Sequence, residues 1–364
     1  MGELENIVII GGGPAGANCA LELANRGIYA TIFDHSHPRE KPCGGGIPSR
    51  TIEKFPFIKS FSSKGYVPTK ARIISSPPQN NQFIVNGNLK KSIIISRQYF
   101  DEQLLKIALK SGAKLIKEKV IEITHNNRNG WQIRTNKRSL NAKIVVGADG
   151  ITSIVRRRTF GKNMTDNEYA REHRQNLDLT FGYIASGVES DPPTIRYLGK
   201  IPGGKKEDFP GYIWIFPRLE NSSIGIGSEL RYGSLLKKLL DQFISCYCPH
   251  IKRISTFSWM LPSVTDPNFF NKPCAGEDWI LVGDAAWHAD PVHGEGIYYA
   301  LWSSQLAAEA IKRKDLKSYD SAWRTAYGNK FKEKCKQKTW FYSPLGKAAS
   351  IIKSGAHILE TKSV

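Results

Sequence analysis

Apolar residues in this 364-residue chain gather into short runs closed by glycine, proline or aspartate, and these runs alternate with segments of helical spacing. Residues 6–10 contain Ile-Val-Ile-Ile, which predicts a strand, and the apolar spacing up to Arg26 predicts a helix directly behind it. Residues 29–33 predict a second strand that ends at Asp34. Strand patterns follow at 73–74, 83–85 and 93–95, separated by polar turns such as Pro77-Pro78-Gln79-Asn80. Ser96-Arg97 opens a helical pattern through Phe100, Leu104, Leu105 and Ala108. Strands at 120–121 and 131–133 lead on to an apolar strand before Asp149. From about 159 the strands lengthen (177–188, 211–216, 223–227, 254–260) and one helix, 235–247, interrupts them. Helical patterns return at 296–312 and 319–331. The expected fold is α/β, with an α+β second domain built on an antiparallel sheet. Residues 1–68, 96–158 and 276–330 form the first domain, 69–95 and 159–275 the second, and 331–364 a basic helical tail.

Three of the closing turns carry chemistry. Gly11, Gly13 and Gly16, with Pro14 and Ala15 among them, supply G-x-G-x-x-G between the first strand and its helix. The first glycine allows the tight turn, the second lets backbone approach a pyrophosphate, and the third lets helix pack on strand. Asp34 ends the second strand about twenty residues on, where an acid accepts hydrogen bonds from ribose hydroxyls. In KIVVGADGITSIVRRR (143–158) a strand runs into Asp149-Gly150, and Thr152 and Ser153 are capping candidates for the next helix. Its three arginines are either a solvated helix end or a phosphate contact. In WILVGDAAWHADPVHGEGIYYA (279–300) a strand ends at Gly283-Asp284, and Pro291, Gly294 and Gly296 open a helix at Ile297. Asp284 can accept from a sugar-like hydroxyl chain, and the helix N-terminus can stabilise negative charge.

In this order and spacing the three motifs resemble the FAD-binding domain of the p-hydroxybenzoate hydroxylase superfamily. KPCGGGIP (41–48, with Cys43, Gly44 and Gly45) and PGYIWIFP (210–217) narrow the resemblance to the geranylgeranyl reductase family. That family saturates prenyl double bonds in archaeal lipids, chlorophyll side chains and some quinones. The resemblance covers roughly residues 1–330 and implies a Rossmann-like FAD-binding domain, an antiparallel substrate domain and resident FAD. It implies cofactor contacts from the three motifs and from Cys43, Gly44 and Gly45, adds Val120, and points to Arg97 as a helix-start arginine that reaches the FAD. With one dinucleotide fingerprint, the electron donor visits transiently: NAD(P)H or a reduced ferredoxin-like protein.

A prenyl double bond is not electron-poor, so its reduction needs a proton as well as a hydride, in a site shielded from water. Cys43 is a candidate donor, since an ordinary thiol is mostly protonated at neutral pH; the alternatives are a small residue chosen for packing, or a bound water as donor. Tyr212, Trp214 and Phe216 alternate on one strand and so share a face. They form either plain core or a wall for an isoprenoid chain, and the family match favours the wall for Tyr212 and Trp214. His288 and His293 flank the flavin turn, as proton donors or as solvated loop residues; Trp287-His288 departs from the small residues common there.

Composition adds limits. Cysteines 19, 43, 246, 248, 274 and 335 lack paired metal-site spacing, so no metal is expected. Nothing resembles a signal peptide, and no apolar run approaches the length of a membrane span. A cytoplasmic, reduced-thiol protein is expected. The formal charge of +19 calls for a polyanionic partner or reflects solubility alone. No nucleic-acid reader motif is present, so the expected partner is an anionic membrane surface, with the protein peripheral on its inner face. The tail carries seven lysines (332, 334, 336, 338, 347, 353, 362) beside Trp340, Phe341 and Tyr342, and an apolar stretch through Leu345, Ala348, Ile351 and Ile352. This spacing predicts a helix able to lie in a membrane interface, or one that packs on the protein and merely exposes its lysines. Two other functions compete: an aromatic monooxygenase or halogenase on the same fold, and a non-catalytic flavin- or lipid-binding protein.

Overall fold

The computed structural model describes residues 4–74, 82–86, 92–126, 130–188, 192–199, 209–343, 345–347 and 357–360. The expected turn at Pro77–Asn80 and the tail positions Ala348, Ile351, Ile352, Lys353 and Lys362 lie outside them. Contacts divide the chain into two compact units. Unit 1 comprises 1–39, 98–176 and 261–336; unit 2 comprises 40–97, 177–260 and 337–364.

Unit 1 is built on a mixed sheet. Its first strand, Leu4–Ile10, pairs in parallel with Thr31–Phe33 on one side and with Ser139–Gly147 on the other. Thr31–Phe33 pairs onward with Lys114–Ile116, and Ser139–Gly147 pairs in parallel with Trp279–Leu281. Val8, Ile9 and Ile32 are fully buried, as expected for strands covered on both faces. The antiparallel strands Val120–Asn126 and Gly130–Thr135 close the other edge. Helix Pro14–Ala24 packs on Ile297–Lys312, and Asn18 Nδ2 donates to the Leu301 carbonyl (2.9 Å). The second strand is shorter than its pattern: Tyr29 is exposed, outside the pairing.

Unit 2 is an eight-stranded sheet in the order Lys252–Pro262, Leu177–Ser186, Ser222–Glu229, Gly211–Pro217, Thr194–Tyr197, Lys70–Ile74, Gln82–Asn86 and His357–Glu360. From Leu177–Ser186 to His357–Glu360 neighbouring strands pair antiparallel, except Thr194–Tyr197 with Lys70–Ile74, which run parallel. Helix Gly233–Tyr247 covers one face through Leu236, Leu240, Phe243 and Ile244. These meet Ile213, Ile215, Ile224 and Ile226 to form the core of this unit.

The division differs from the one expected. Residues 40–68 gather with unit 2, because the loop from Glu40 to Gly46 is bonded to that unit's sheet. Residues 159–176 and 261–275 gather with unit 1. The tail is not a separate segment but is shared by both units.

Candidate active site

In unit 1 the glycine turn is fixed by its own backbone. Gly11 has φ +105°, and a Cβ there would lie 2.3 Å from the Ala148 carbonyl oxygen; a Cβ at Gly16 would lie 1.8 Å from that of Gly11. No side chain fits at either position. Gly13 caps helix Pro14–Ala24 without a side-chain bond and Pro14 follows, so the first-turn amides of Ala15 and Gly16 face outward for an anion. The Asp34 carboxylate accepts from the amides of Gly12 (2.6 Å), Ser36 (2.6 Å) and His37 (2.7 Å), and pairs with His37 Nδ1 (2.8 Å). Burial alone would raise its pKa. The bond and charge of His37 and the Gly12 and His37 amides outweigh burial and hold it well below the usual carboxylate range. His37 Nε2 lies 3.5 Å from buried Asp101, so one imidazole bridges two carboxylates. Half-buried Val120 opens its strand shortly after Ile116, whose carbonyl accepts from the Asp34 amide (3.1 Å).

Asp149 and Asp284 complete the strand ends. Asp149 Oδ2 accepts from the Ile154 amide (2.8 Å), while Oδ1 is covered and has no hydrogen-bond partner among the described residues. Burial pushes this carboxyl up to about 6, against the bonds from Ser153 and Ile154. Gly150 turns at φ +78° with open space beside it. Gly283, at φ +59°, lets the turn press on Ala15, whose Cβ would be 2.8 Å from one at position 283. Asp284 Oδ1 is 3.3 Å from where a Gly296 Cβ would stand, so this carboxylate lies beside the start of helix Ile297–Lys312.

The intervening loop is tied down by Asp290, which is 1% exposed. Its Oδ1 accepts from the amides of Val292 and His293 (both 3.0 Å), and its Oδ2 pairs with Lys334. Burial would raise Asp290, but the bond and charge of His293 and the charge of Lys334 hold it far below the ordinary value. The Pro291 carbonyl accepts from Ser263 Oγ (3.3 Å), and Gly294 turns at φ +66°. His288 is fully buried with the hydroxyls of Tyr327 (3.0 Å) and Tyr319 (3.4 Å) at Nδ1. Burial and the charge of Arg324 push it down to about 3, so it is neutral and belongs to the interior, not to a solvated loop. His293 is half exposed.

A dinucleotide with a pyrophosphate fits these residues. The glycine turn leaves backbone amides for phosphate, and the orphaned Asp149 oxygen needs a hydroxyl-type donor.

In unit 2 the face opposite the helix is aromatic. Tyr212 and Trp214 stand 6.3 Å apart between ring centres, Tyr197 adjoins Tyr212 at 6.2 Å, and Phe257 stacks on Trp214 at 6.3 Å and 20°. Two strand glycines let these rings lie on the sheet. A Cβ at Gly225 would be 2.1 Å from Trp214 Cζ2, and one at Gly182 would be 2.4 Å from Phe257 Cζ. The Cys43 loop is seated on the same face: a Cβ at Gly44 would be 2.6 Å from Phe216 and 3.4 Å from Trp214 Nε1. Gly45, at φ +82°, sits against the Ile95 carbonyl. The Cys43 carbonyl accepts from Ser223 Oγ (3.2 Å) and Arg218 Nη2 (3.2 Å). Ser223 Oγ in turn accepts from Trp214 Nε1 (3.1 Å), and Arg218 pairs with Glu40 (2.9 Å). The half-buried thiol of Cys43 faces the Gly45 amide (3.4 Å). Arg97 is 3% exposed at the first position of helix Arg97–Lys110.

The geometry therefore groups Gly11, Gly13, Gly16 and Asp34 with one another, Asp284 with Gly296, and Cys43 and Gly44 with Trp214 and Phe216. Asp101, Glu40, Arg218, Ser223 and Phe257 were not anticipated. Gly182 and the Gly225-Ile226-Gly227 run were the available signal, because glycine inside a strand marks a close approach. One expectation is corrected: the arginines 156–158 are not alike. Arg157 and Arg158 are exposed, and Arg156 is not solvated but buried among aromatic rings.

Residues 5–194 match the model of a family described as FAD binding domain. The chain is 26% identical to menaquinone reductase of Mycolicibacterium smegmatis, over 89% of this chain and 80% of that protein. It is 28% identical to digeranylgeranylglycerophospholipid reductase of Thermoplasma acidophilum, over 92% and 85%. Its fold matches the crystal structure of a geranylgeranyl bacteriochlorophyll reductase-like protein from Thermoplasma acidophilum (TM-score 0.78, 24% identity, 100% of this chain and 94% of that one). The chain belongs to the FAD-binding-domain family, with the p-hydroxybenzoate hydroxylase type of fold, and is similar within it to reductases of the geranylgeranyl type.

Proposed function

We propose that this flavoprotein saturates carbon–carbon double bonds of a prenyl chain carried by a lipid, quinone or pigment precursor. The observation that carries this reading is the aromatic face of unit 2. Its rings lie on strand glycines, away from the unit's core, under a glycine loop that bears a thiol. A flat apolar face suits an isoprenoid, for which burial contributes about 0.8 kcal/mol per methylene. The names of the relatives support the substrate class. When bound, FAD supplies the hydride. The chain's own residues orient the prenyl group (Tyr212, Trp214), exclude water and hold a proton at Cys43 Sγ. NAD(P)H or a reduced ferredoxin-like protein renews the electrons.

The test is anaerobic incubation of FAD-loaded protein with dithionite and a geranylgeranylated lipid, followed by mass spectrometry. One added H2 per reduced bond is expected. Substrate recovered unchanged, or oxygenated once air is admitted, would sink the reading.

Access to a lipid-borne chain favours docking on an anionic membrane, in a form that differs from a free basic helix. No helix among the described residues is long and apolar enough to cross a membrane. Lys334 pairs with Asp290, Lys338 with Asp178 (3.4 Å), and Lys347 donates to the Leu198 carbonyl (3.0 Å). These three lysines serve the interior. Among the described tail residues, Trp340 (53% exposed) and Leu345 (77%) are the large apolar groups left to insert. Flotation with anionic liposomes should weaken in Trp340→Ala/Leu345→Ser; equal flotation of both proteins would remove this surface from the proposal.

A further inference from the structure

The loop that carries Cys43 has little of its own to hold it. Gly44, Gly45 and Gly46 follow the cysteine, and glycine has the widest conformational freedom of any residue. The pairing of Gly46-Ile47 with Ile93-Ile94, and the Ile95 amide on the Gly45 carbonyl (2.9 Å), secure its far end. At the cysteine itself the hold falls on one atom. The Cys43 carbonyl oxygen accepts from Ser223 Oγ and from Arg218 Nη2, both at 3.2 Å.

Each of these donors is tied to a second feature of unit 2. Ser223 is fully buried and Trp214 nearly so. An indole N–H only donates and a carbonyl only accepts, so the group between them must do both, as a hydroxyl does. Trp214 Nε1 donates to Ser223 Oγ (3.1 Å), and Ser223 Oγ donates to Cys43. The thiol loop thereby takes its register from a ring of the aromatic wall. Arg218 uses its planar fork to join two acceptors. Nη1 meets Glu40 Oε1 (2.9 Å) while Nη2 meets Cys43. Glu40 also accepts from Ser96 Oγ (2.5 Å), which fixes the start of the loop to the residue before helix Arg97–Lys110.

At the sulfur, the Gly45 amide donates to Sγ (3.4 Å). The S–H is left free to turn out of the loop, and the same amide faces the charge that remains on sulfur once a proton is given up.

We propose that Ser223 and Arg218 are the positioning residues of the thiol: together they clamp the Cys43 carbonyl and hold Sγ in register with the Tyr212–Trp214 wall. The catalytic consequence rests on the prenyl-reductase reading; the clamp itself does not.

The test alkylates full-length, FAD-loaded protein with iodoacetamide and follows each cysteine by peptide mass spectrometry. Cys43 should react about fivefold faster in Ser223→Ala and about tenfold faster in Arg218→Lys, because a released carbonyl lets the glycine loop open. Lysine keeps a charge for Glu40 but has no fork with which to hold Cys43 as well. Buried Cys19, Cys274 and Cys335 should keep their wild-type rates, which separates a loosened loop from a loosened protein. Turnover of a geranylgeranylated lipid gives a second readout. In Arg218→Lys kcat should fall about tenfold at unchanged KM, since the wall keeps its Ser223 bond; in Ser223→Ala KM should rise as well. Equal Cys43 rates in wild type and both variants overturn the clamp, and so does a parallel rise at the three buried cysteines. The two variants remove different donors, so either decides the matter if the other does not fold. Should wild-type protein reduce no prenyl chain, that reading fails while the alkylation rates still decide the clamp.

Discussion

At Gly16 an added Cβ would strike the carbonyl oxygen of Gly11 at 1.8 Å, whereas at Gly225 it would strike the ring of Trp214 at 2.1 Å. The numbers are similar but the obstacles are not. In unit 1 backbone excludes the side chain, and backbone in a strand–turn–helix junction has nowhere to go. In unit 2 a side chain does the excluding, and a ring can rotate or be replaced. The dinucleotide turn should therefore tolerate nothing, while the aromatic face should be open to compensated change.

Gly16→Ala tests the rigid half and should have the largest effect. We expect a loss of about 3 kcal/mol or more, with flavin absent after gel filtration, and no partner substitution that restores it. A yellow, stable Gly16→Ala protein would show that the turn yields after all.

The Asp290 tether comes next. Asp290→Asn leaves Lys334 without its counter-charge and should cost about 2 to 3 kcal/mol near neutral pH. The folded pKa of Asp290 lies below its unfolded value, so its contribution is present above about pH 4 and fades as pH falls below that. The difference in thermal midpoint between wild type and Asp290→Asn should therefore narrow under acid. A gap that stays constant down to pH 3 would contradict the ion pair.

On the adaptable half, Gly225→Ala should cost about 1 to 2 kcal/mol and most of the prenyl-reducing activity, as Trp214 is pushed off the sheet. Adding Trp214→Leu should return the stability but not the activity. If the double variant is no more stable than the single one, the ring was not the obstacle.

Cys43→Ser should be the mildest structurally, within about 0.5 kcal/mol. Prenyl reduction should slow about a hundredfold, while reduction of the flavin by dithionite continues. An unchanged turnover would leave the thiol a packing residue.

The same contrast explains what was legible in the sequence. Gly11, Gly16, Asp34, Asp149 and Asp284 announce themselves because each follows an apolar strand within a few residues, so local spacing carries the geometry. The 212/214/216 alternation was readable for the same reason. Phe257 over Gly182, Ser223 on the Cys43 carbonyl and Arg218 on Glu40 are long-range pairings, and no local period encodes them. The basic tail misled in the same way. Lys338 and Lys347 count as surface charge until partners 160 and 149 residues away in the chain are seen to hold them.

The chain passes between the two units at residues 39/40, 97/98, 176/177, 260/261 and 336/337. During synthesis the Gly11–Gly16 turn leaves the ribosome well before the residues that pack on its helix. Gly283 and helix Ile297–Lys312, which pack against its helix, arrive nearly three hundred residues later, with Asp284 between them. At ordinary elongation rates that is a wait of about 15 to 60 s. Through that interval the nascent chain has a pyrophosphate turn without its closing strand, so FAD capture waits for residues 279–312, and no truncated product ending before Asp284 should retain the cofactor.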